Sequence, residues 1–152
     1  MQVPVALEIP VKIDSLPYYE IFLYVTLGVI VAGLLLFYIR KIPLRKKYPL
    51  LALGLFLAAL VYVTFSLTTL NEVWITVEVV GLLLFLLFIW MAFHYSMWFV
   101  VLGWAAHIVW DVGIHPQETA PYVPYWYAWI CVGFDAVIAG FIAVSLVRHE
   151  HE

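Results

Sequence analysis

Charged side chains are scarce in this chain. Only 11% of its 152 residues are Asp, Glu, Lys or Arg, against about 25% in soluble domains. Apolar residues make up 66%, and the mean hydropathy is +1.06. A chain this short keeps a large surface, so a soluble core could not bury that much apolar side chain. The expectation is one integral membrane domain, residues 1–152.

Other absences narrow the class further. Cysteine occurs once, at Cys131, which excludes an internal disulfide. An excess of cations is missing: the formal net charge is −3, so no nucleic-acid footprint exists. The opening MQVPVALEIPVKIDSLP lacks a basic segment ahead of a hydrophobic run. It is not read as a signal peptide, and the apolar run from Tyr19 is expected to stay in the mature protein. There is no sign of the inverted repeat that marks many secondary transporters.

What is present is a series of long apolar runs. About 20 such residues cross about 30 Å of hydrocarbon. The runs predict an all-α polytopic membrane helix bundle, with helices over 19–39, 50–70, 73–93, 97–114 and 125–147. Between the first two lies RKIPLRKKYP, with five cations and two prolines. Asn71 and Glu72 break the second run from the third. Val73 to Ile114 then run 42 residues without a strong breaker, too long for one span. The most polar triplet, His94-Tyr95-Ser96, is the place to cut. A four-helix alternative keeps 73–114 as one broken helix. The proline-bearing HPQETAPYVP, 115–124, is expected as a loop covering the outer face.

Lys and Arg near span ends favour the cytoplasmic side. Five helices place the loop 40–49 and Arg148 in the cytoplasm and the N-terminus outside. Six of the seven cations then lie inside, with Lys12 outside. A bacterial or archaeal cytoplasmic membrane is the expected location. The RHEHE tail reads as a solvated end rather than a metal-binding one.

Ionisable groups inside apolar spans are expensive and usually functional. In this topology Glu78 lies about 8 Å from the outer end of its helix, Asp111 about 6 Å, His107 about 12 Å and Asp135 about 15 Å. Spans assigned independently thus put their polar groups at similar depth, which predicts one shared site. His107, Asp111 and His115 follow one another at four-residue spacing, on one helical stripe. His107-x3-Asp111 has the geometry of a zinc-ligand pair, without the glutamate of a zincin motif. Asp135 and Glu78 are the further ligands expected, for zinc, iron or manganese. His115 precedes Pro116, where a helix breaks, so it either curls back over the site or caps the loop. The alternatives are a metal-free proton-handling or ligand-binding site, and plain hydrogen bonding between helices.

Neighbouring residues fit a pocket. Cys131 lies one turn before Asp135, as a small hydrophobe or a soft ligand. Trp104 shares the face of His107 and Asp111, and Trp110 lies between them in sequence. They read as pocket walls or as packing. His94 and Glu20 read as interfacial groups.

The stretch GWAAHIVWDVGIH, followed by PYVP and CVGFDAVIAG, resembles a family of small, uncharacterised bacterial integral membrane proteins. The pattern is Gly-Trp-x-x-His-x-x-Trp-Asp-x-x-x-His, a proline-rich loop, then Cys-x-x-x-Asp. The resemblance covers residues 103–139. It implies that His107, Trp110, Asp111, His115, Cys131 and Asp135 are marked positions. Pro116 stands where family members often carry a second histidine.

These readings converge on a membrane-embedded enzyme, with His107, Asp111 and Asp135 as catalytic groups. Entry from a bilayer and aromatic walls suggest a lipid or isoprenoid-like substrate, cleaved by metal-activated water or isomerised without a metal. A small transporter or ligand-, metal- or proton-binding subunit is the second expectation. A structural subunit of a larger complex, or a homo-oligomer, is the third. Membrane lipids are expected partners in each case.

Overall fold

A computed structural model describes residues 18–115 and 122–149. The expectations for Lys12, for residues 116–121 of the proline-rich loop and for the tail at 150–152 lie outside the described residues. The described residues form five α-helices and one short 3-10 turn, with no strand among them. The helices are α1 (Tyr18–Tyr38), α2 (Leu44–Leu67), α3 (Glu72–His94), α4 (Trp98–Gly113) and α5 (Tyr125–His149). The all-α bundle predicted from the apolar runs is the observed fold.

Two details differ from expectation. α2 starts at Leu44, six residues before the expected Leu50, so Arg45, Lys46 and Lys47 sit in its first turn. Pro43 caps its start with extended backbone, and Pro49 lies inside the helix. A proline costs a helix the N–H bond to the fourth preceding carbonyl. Here that carbonyl belongs to Arg45, next to the polar end, where other partners can satisfy it. Second, four helices, α1, α2, α3 and α5, are long and apolar enough to cross a membrane, while α4 is a shorter apolar helix. Its 16 residues span about 24 Å.

The breaks have local causes. Residues 68–70 turn the chain, and Leu70 takes a positive φ of 53°. Asn71 then accepts hydrogen bonds from Val73 N at 3.0 Å and Trp74 N at 3.4 Å, an N-cap for α3. Glu72 follows in the first turn, where a negative charge suits the helix dipole. His94, Tyr95 and Ser96 end α3 as the polar triplet implied, and Ser96 Oγ accepts from Trp98 N as α4 begins.

The helices pack in the spatial order α1, α5, α4, α3, α2, with α2 also touching α4. Successive helices run antiparallel. The starts of α1, α3 and α5 therefore share one end of the bundle with the ends of α2 and α4. α1 packs mainly on α5, far from it in sequence. Their backbones touch: a Cβ on Gly28 would lie 2.0 Å from Ile130 O, and one on Gly133 2.1 Å from Val25 O. Close approach of small residues is a usual way for helices to associate in lipid. The outward faces are apolar. Phe22, Leu34, Val80, Leu83, Val109 and Val144 are all more than half exposed, as lipid contact requires.

Candidate functional site

α4 presents His107 and Asp111 on one face, one turn apart, as the spacing predicted. That face meets α5 and α2. Asp135 arrives from α5 and Tyr62 from α2. All four side chains are buried, with exposures of 0–2%. His107 Nδ1 lies 2.8 Å from Asp135 Oδ2 and 3.5 Å from Asp111 Oδ2. The Tyr62 hydroxyl donates to Asp111 Oδ1 at 2.6 Å. Two carboxylates therefore flank one imidazole nitrogen, and a phenol holds one of them in place.

The charge does not balance among these residues. Two ionised carboxylates carry −2, and a protonated imidazole returns only +1. An unbalanced buried charge is costly, so the cluster needs a proton on one carboxylate or a bound cation. Two polar atoms also stay unsatisfied: His107 Nε2 and Asp111 Oδ2 are buried without a hydrogen-bond partner among the described residues. One ligand atom each from His107, Asp111 and Asp135 lie within 4.8 Å of one another. With a neutral imidazole, a divalent cation would bring this group to zero net charge. The donor set, two carboxylates and one imidazole, suits iron, manganese or zinc.

A second polar cluster lies beside the first. Glu78 on α3 accepts at Oε1 from the Tyr122 hydroxyl at 2.5 Å and contacts His115 Nε2 there at 2.7 Å. Its Oε2 accepts from Trp110 Nε1 at 3.2 Å. One carboxylate thus ties together α4, the residue just past its end, and the approach to α5. Trp110 reaches Glu78 because Gly81 has no side chain. A Cβ there would lie 2.5 Å from the indole ring. Burial, and then the Glu78 carboxylate, hold the Tyr122 phenol above its ordinary pKa, so it remains a donor. His115 Nδ1 is buried and has no hydrogen-bond partner among the described residues.

The expected ligands therefore fall into two groups. His107, Asp111 and Asp135 come together; Glu78 and His115 pair with each other instead. α4 ends at Gly113, and beyond the cap residue Ile114 the His115 imidazole turns towards α3. Tyr62 stands between the groups. Its ring stacks on His115 with centroids 4.3 Å apart and lies 5.6 Å from the ring of His107.

Of the expected pocket residues, Trp104 is buried and sits 6.4 Å, centroid to centroid, from His107. Its indole nitrogen has no hydrogen-bond partner among the described residues. Trp110 is a hydrogen-bond donor to Glu78 rather than a wall of the His107 group. Cys131 is buried beside the Tyr127 and Tyr62 hydroxyls. His94 bonds the Trp90 carbonyl one turn back and stacks on the Trp90 ring, clear of both clusters.

Tyr62 is the residue that sequence reasoning missed. Its signal was position. It lies five residues before the end of α2, about 8 Å down, level with Glu78. An interfacial tyrosine would sit at the helix end. Tyr122, in the approach to α5, likewise meets Glu78 without any sequence spacing that ties the two together.

No family model matches the chain, and no curated protein or solved structure is significantly similar to it.

Proposed function

We propose that this chain is a membrane-embedded enzyme whose His107, Asp111 and Asp135 hold a divalent metal ion and act on a lipid or isoprenoid-like substrate. The observation that carries the reading is the buried His-Asp-Asp group, with ligand atoms within 4.8 Å of one another and Asp111 Oδ2 unpartnered. An intramembrane ionisable group is a functional-site candidate by default, and the two carboxylates here carry more negative charge than one imidazole can balance. A bound ion would supply Lewis acidity or an activated water. The chain's own residues do the rest. Tyr62 occupies Asp111 Oδ1 and so aims Oδ2 at the imidazole of His107. Glu78 fixes the His115 ring through Nε2. The aromatic rings of Trp104, Phe85 and Tyr127 line the surroundings with surface suited to apolar chains.

The basic loop favours a topology with residues 40–49 in the cytoplasm and the site in the outer half of the bilayer. On this reading the location is a bacterial or archaeal cytoplasmic membrane.

A second reading is metal-free. The 2.8 Å contact between His107 and Asp135 is a hydrogen-bond length. Two ligands of one tetrahedral ion would stand about 3.4 Å apart, from metal bonds of about 2.1 Å. In this reading Asp135 fixes the imidazole tautomer and His107 Nε2 accepts protons, in catalysis or in transport.

Metal analysis of the purified full-length protein separates the two. The metal reading expects about one ion per chain, lost in His107→Ala and Asp111→Ala. A folded wild-type protein that takes up no zinc, iron or manganese at saturating concentrations would sink it. The enzymatic part is tested by incubating the loaded protein with membrane lipid and isoprenoid extracts. Mass spectrometry should find a product that Asp135→Ala does not form.

A further inference from the structure

The end of the bundle opposite the polar site carries six cations: Arg40, Lys41, Arg45, Lys46 and Lys47 between α1 and α2, and Arg148 at the end of α5. None of the described carboxylates lies at that end. Two of the cations are engaged locally: Arg40 covers the Phe37 ring at 3.9 Å, and the buried Lys47 donates to Arg40 O at 3.1 Å. Arg45 and Lys46 are exposed and pair with no carboxylate among the described residues.

Helix geometry places these two above a groove. Residues three and four apart share a helix face, so Arg45 and Lys46 lie one turn before Pro49 on α2. Pro49, Leu53 and Phe56 form one wall of an apolar groove, Ile89 and Phe93 of α3 form the other, and Ala52 is its buried floor. α3 runs antiparallel to α2, so the groove starts at the basic end and extends towards the middle of the bundle. It is open to the surrounding lipid and has almost no polar lining.

We propose that this groove is a binding site for an anionic phospholipid, with the headgroup phosphate on Arg45 and Lys46 and an acyl chain along the α2–α3 groove. Charge complementarity selects the occupant. Two unneutralised cations at the mouth favour a negative headgroup, and the walls below them accept only hydrocarbon. Basic recesses between membrane helices hold such headgroups elsewhere, and each cation near an anionic lipid surface contributes a roughly fivefold preference. The proposal does not depend on the function assigned to the His107 cluster.

The test uses the full-length protein in phosphatidylcholine bilayers with trace spin-labelled lipid. The motionally restricted fraction is compared for phosphatidylglycerol and phosphatidylcholine labels of the same chain length. The wild type should select phosphatidylglycerol by about fivefold or more. Arg45→Gln with Lys46→Gln should remove most of that preference. Leu53→Trp, which fills the groove and leaves the charges, should also reduce it. Lys41→Gln, on the far side of the turn, should leave it intact. Equal selection of the two lipids by the wild type would overturn the proposal, and so would a preference untouched by Leu53→Trp. An equal loss in Lys41→Gln would replace the site with diffuse attraction and overturn it as well. Should the double charge variant not fold, the wild-type comparison and Leu53→Trp still decide.

Discussion

The Tyr62 ring lies nearly flat against the His115 imidazole, 4.3 Å away and tilted by 22°, while its hydroxyl donates to Asp111 at 2.6 Å. One side chain from α2 thus serves both polar clusters, one with its face and the other with its edge. Tyr62→Phe separates the two services. It should keep the stack and cost about 0.6–1.7 kcal/mol, the range for hydrogen bonds in membrane proteins. Metal affinity should fall about 10- to 100-fold, as for lost outer partners of metal ligands. Thermal unfolding in detergent and metal titration read the two effects independently.

Asp111→Asn tests the charge argument. The change removes one of two carboxylates competing for a single imidazole. In chelator the variant should melt at or above the wild type, because an uncompensated buried charge has gone. With metal present the order should reverse, because only the wild type gains stability from the bound ion. A variant that melts below the wild type in both conditions would show that the second carboxylate is balanced by a proton instead.

Glu78→Gln should loosen three connections together. Hydrogen bonds to a charged group contribute about 1.5–3 kcal/mol, and neutral ones about half that. His115 and Tyr122 both meet Glu78 Oε1. Hydrogen exchange should therefore rise at the end of α4 and the start of α5, with little change in α1. A uniform rise across all five helices would mean that Glu78 serves general stability rather than this junction.

Gly133→Ala should destabilise the protein strongly. Its Cβ would meet Val25 O at 2.1 Å, so α1 and α5 must separate. Asp135 lies two residues further along the same helix, so metal binding should weaken as well. Gly33→Ala is the control. Nothing lies within 4 Å of its Cβ, and alanine is the better helix former by about 1 kcal/mol. Thermal melts of the two variants should move in opposite directions.

Much of this arrangement was legible in the sequence. The apolar runs gave the helix count, and the triplet at 94–96 gave the break inside the longest run. Four-residue spacing paired His107 with Asp111. Depth counted along separate helices brought Asp135 to them. Other features were not legible, for physical reasons. The start of α2 was hidden because a proline near a helix N-terminus costs little, although it reads as a breaker. His115 continued the stripe on paper, but α4 stops two residues earlier and the imidazole turns to Glu78. The pairing of α1 with α5 depends on backbone contact at Gly28 and Gly133, and single glycines do not name their partners. Tyr62 offered only its depth as a signal, because a phenol serves equally well at a membrane surface and as a buried donor.

The brevity of α4 has a mechanical consequence. At about 24 Å it falls some 6 Å short of a typical hydrocarbon thickness. Val109 and Val112 near its end face outwards, where a bilayer would meet them. Such mismatch costs fractions of a kcal/mol per Å. In a bilayer of ordinary thickness the leaflet beside the Glu78 junction is expected to be drawn inwards, bringing headgroups and water closer to His115 than its depth along the bundle implies. A thinner bilayer accommodates this dimple with less elastic strain, so membrane thickness itself becomes a control on how wet the polar clusters are.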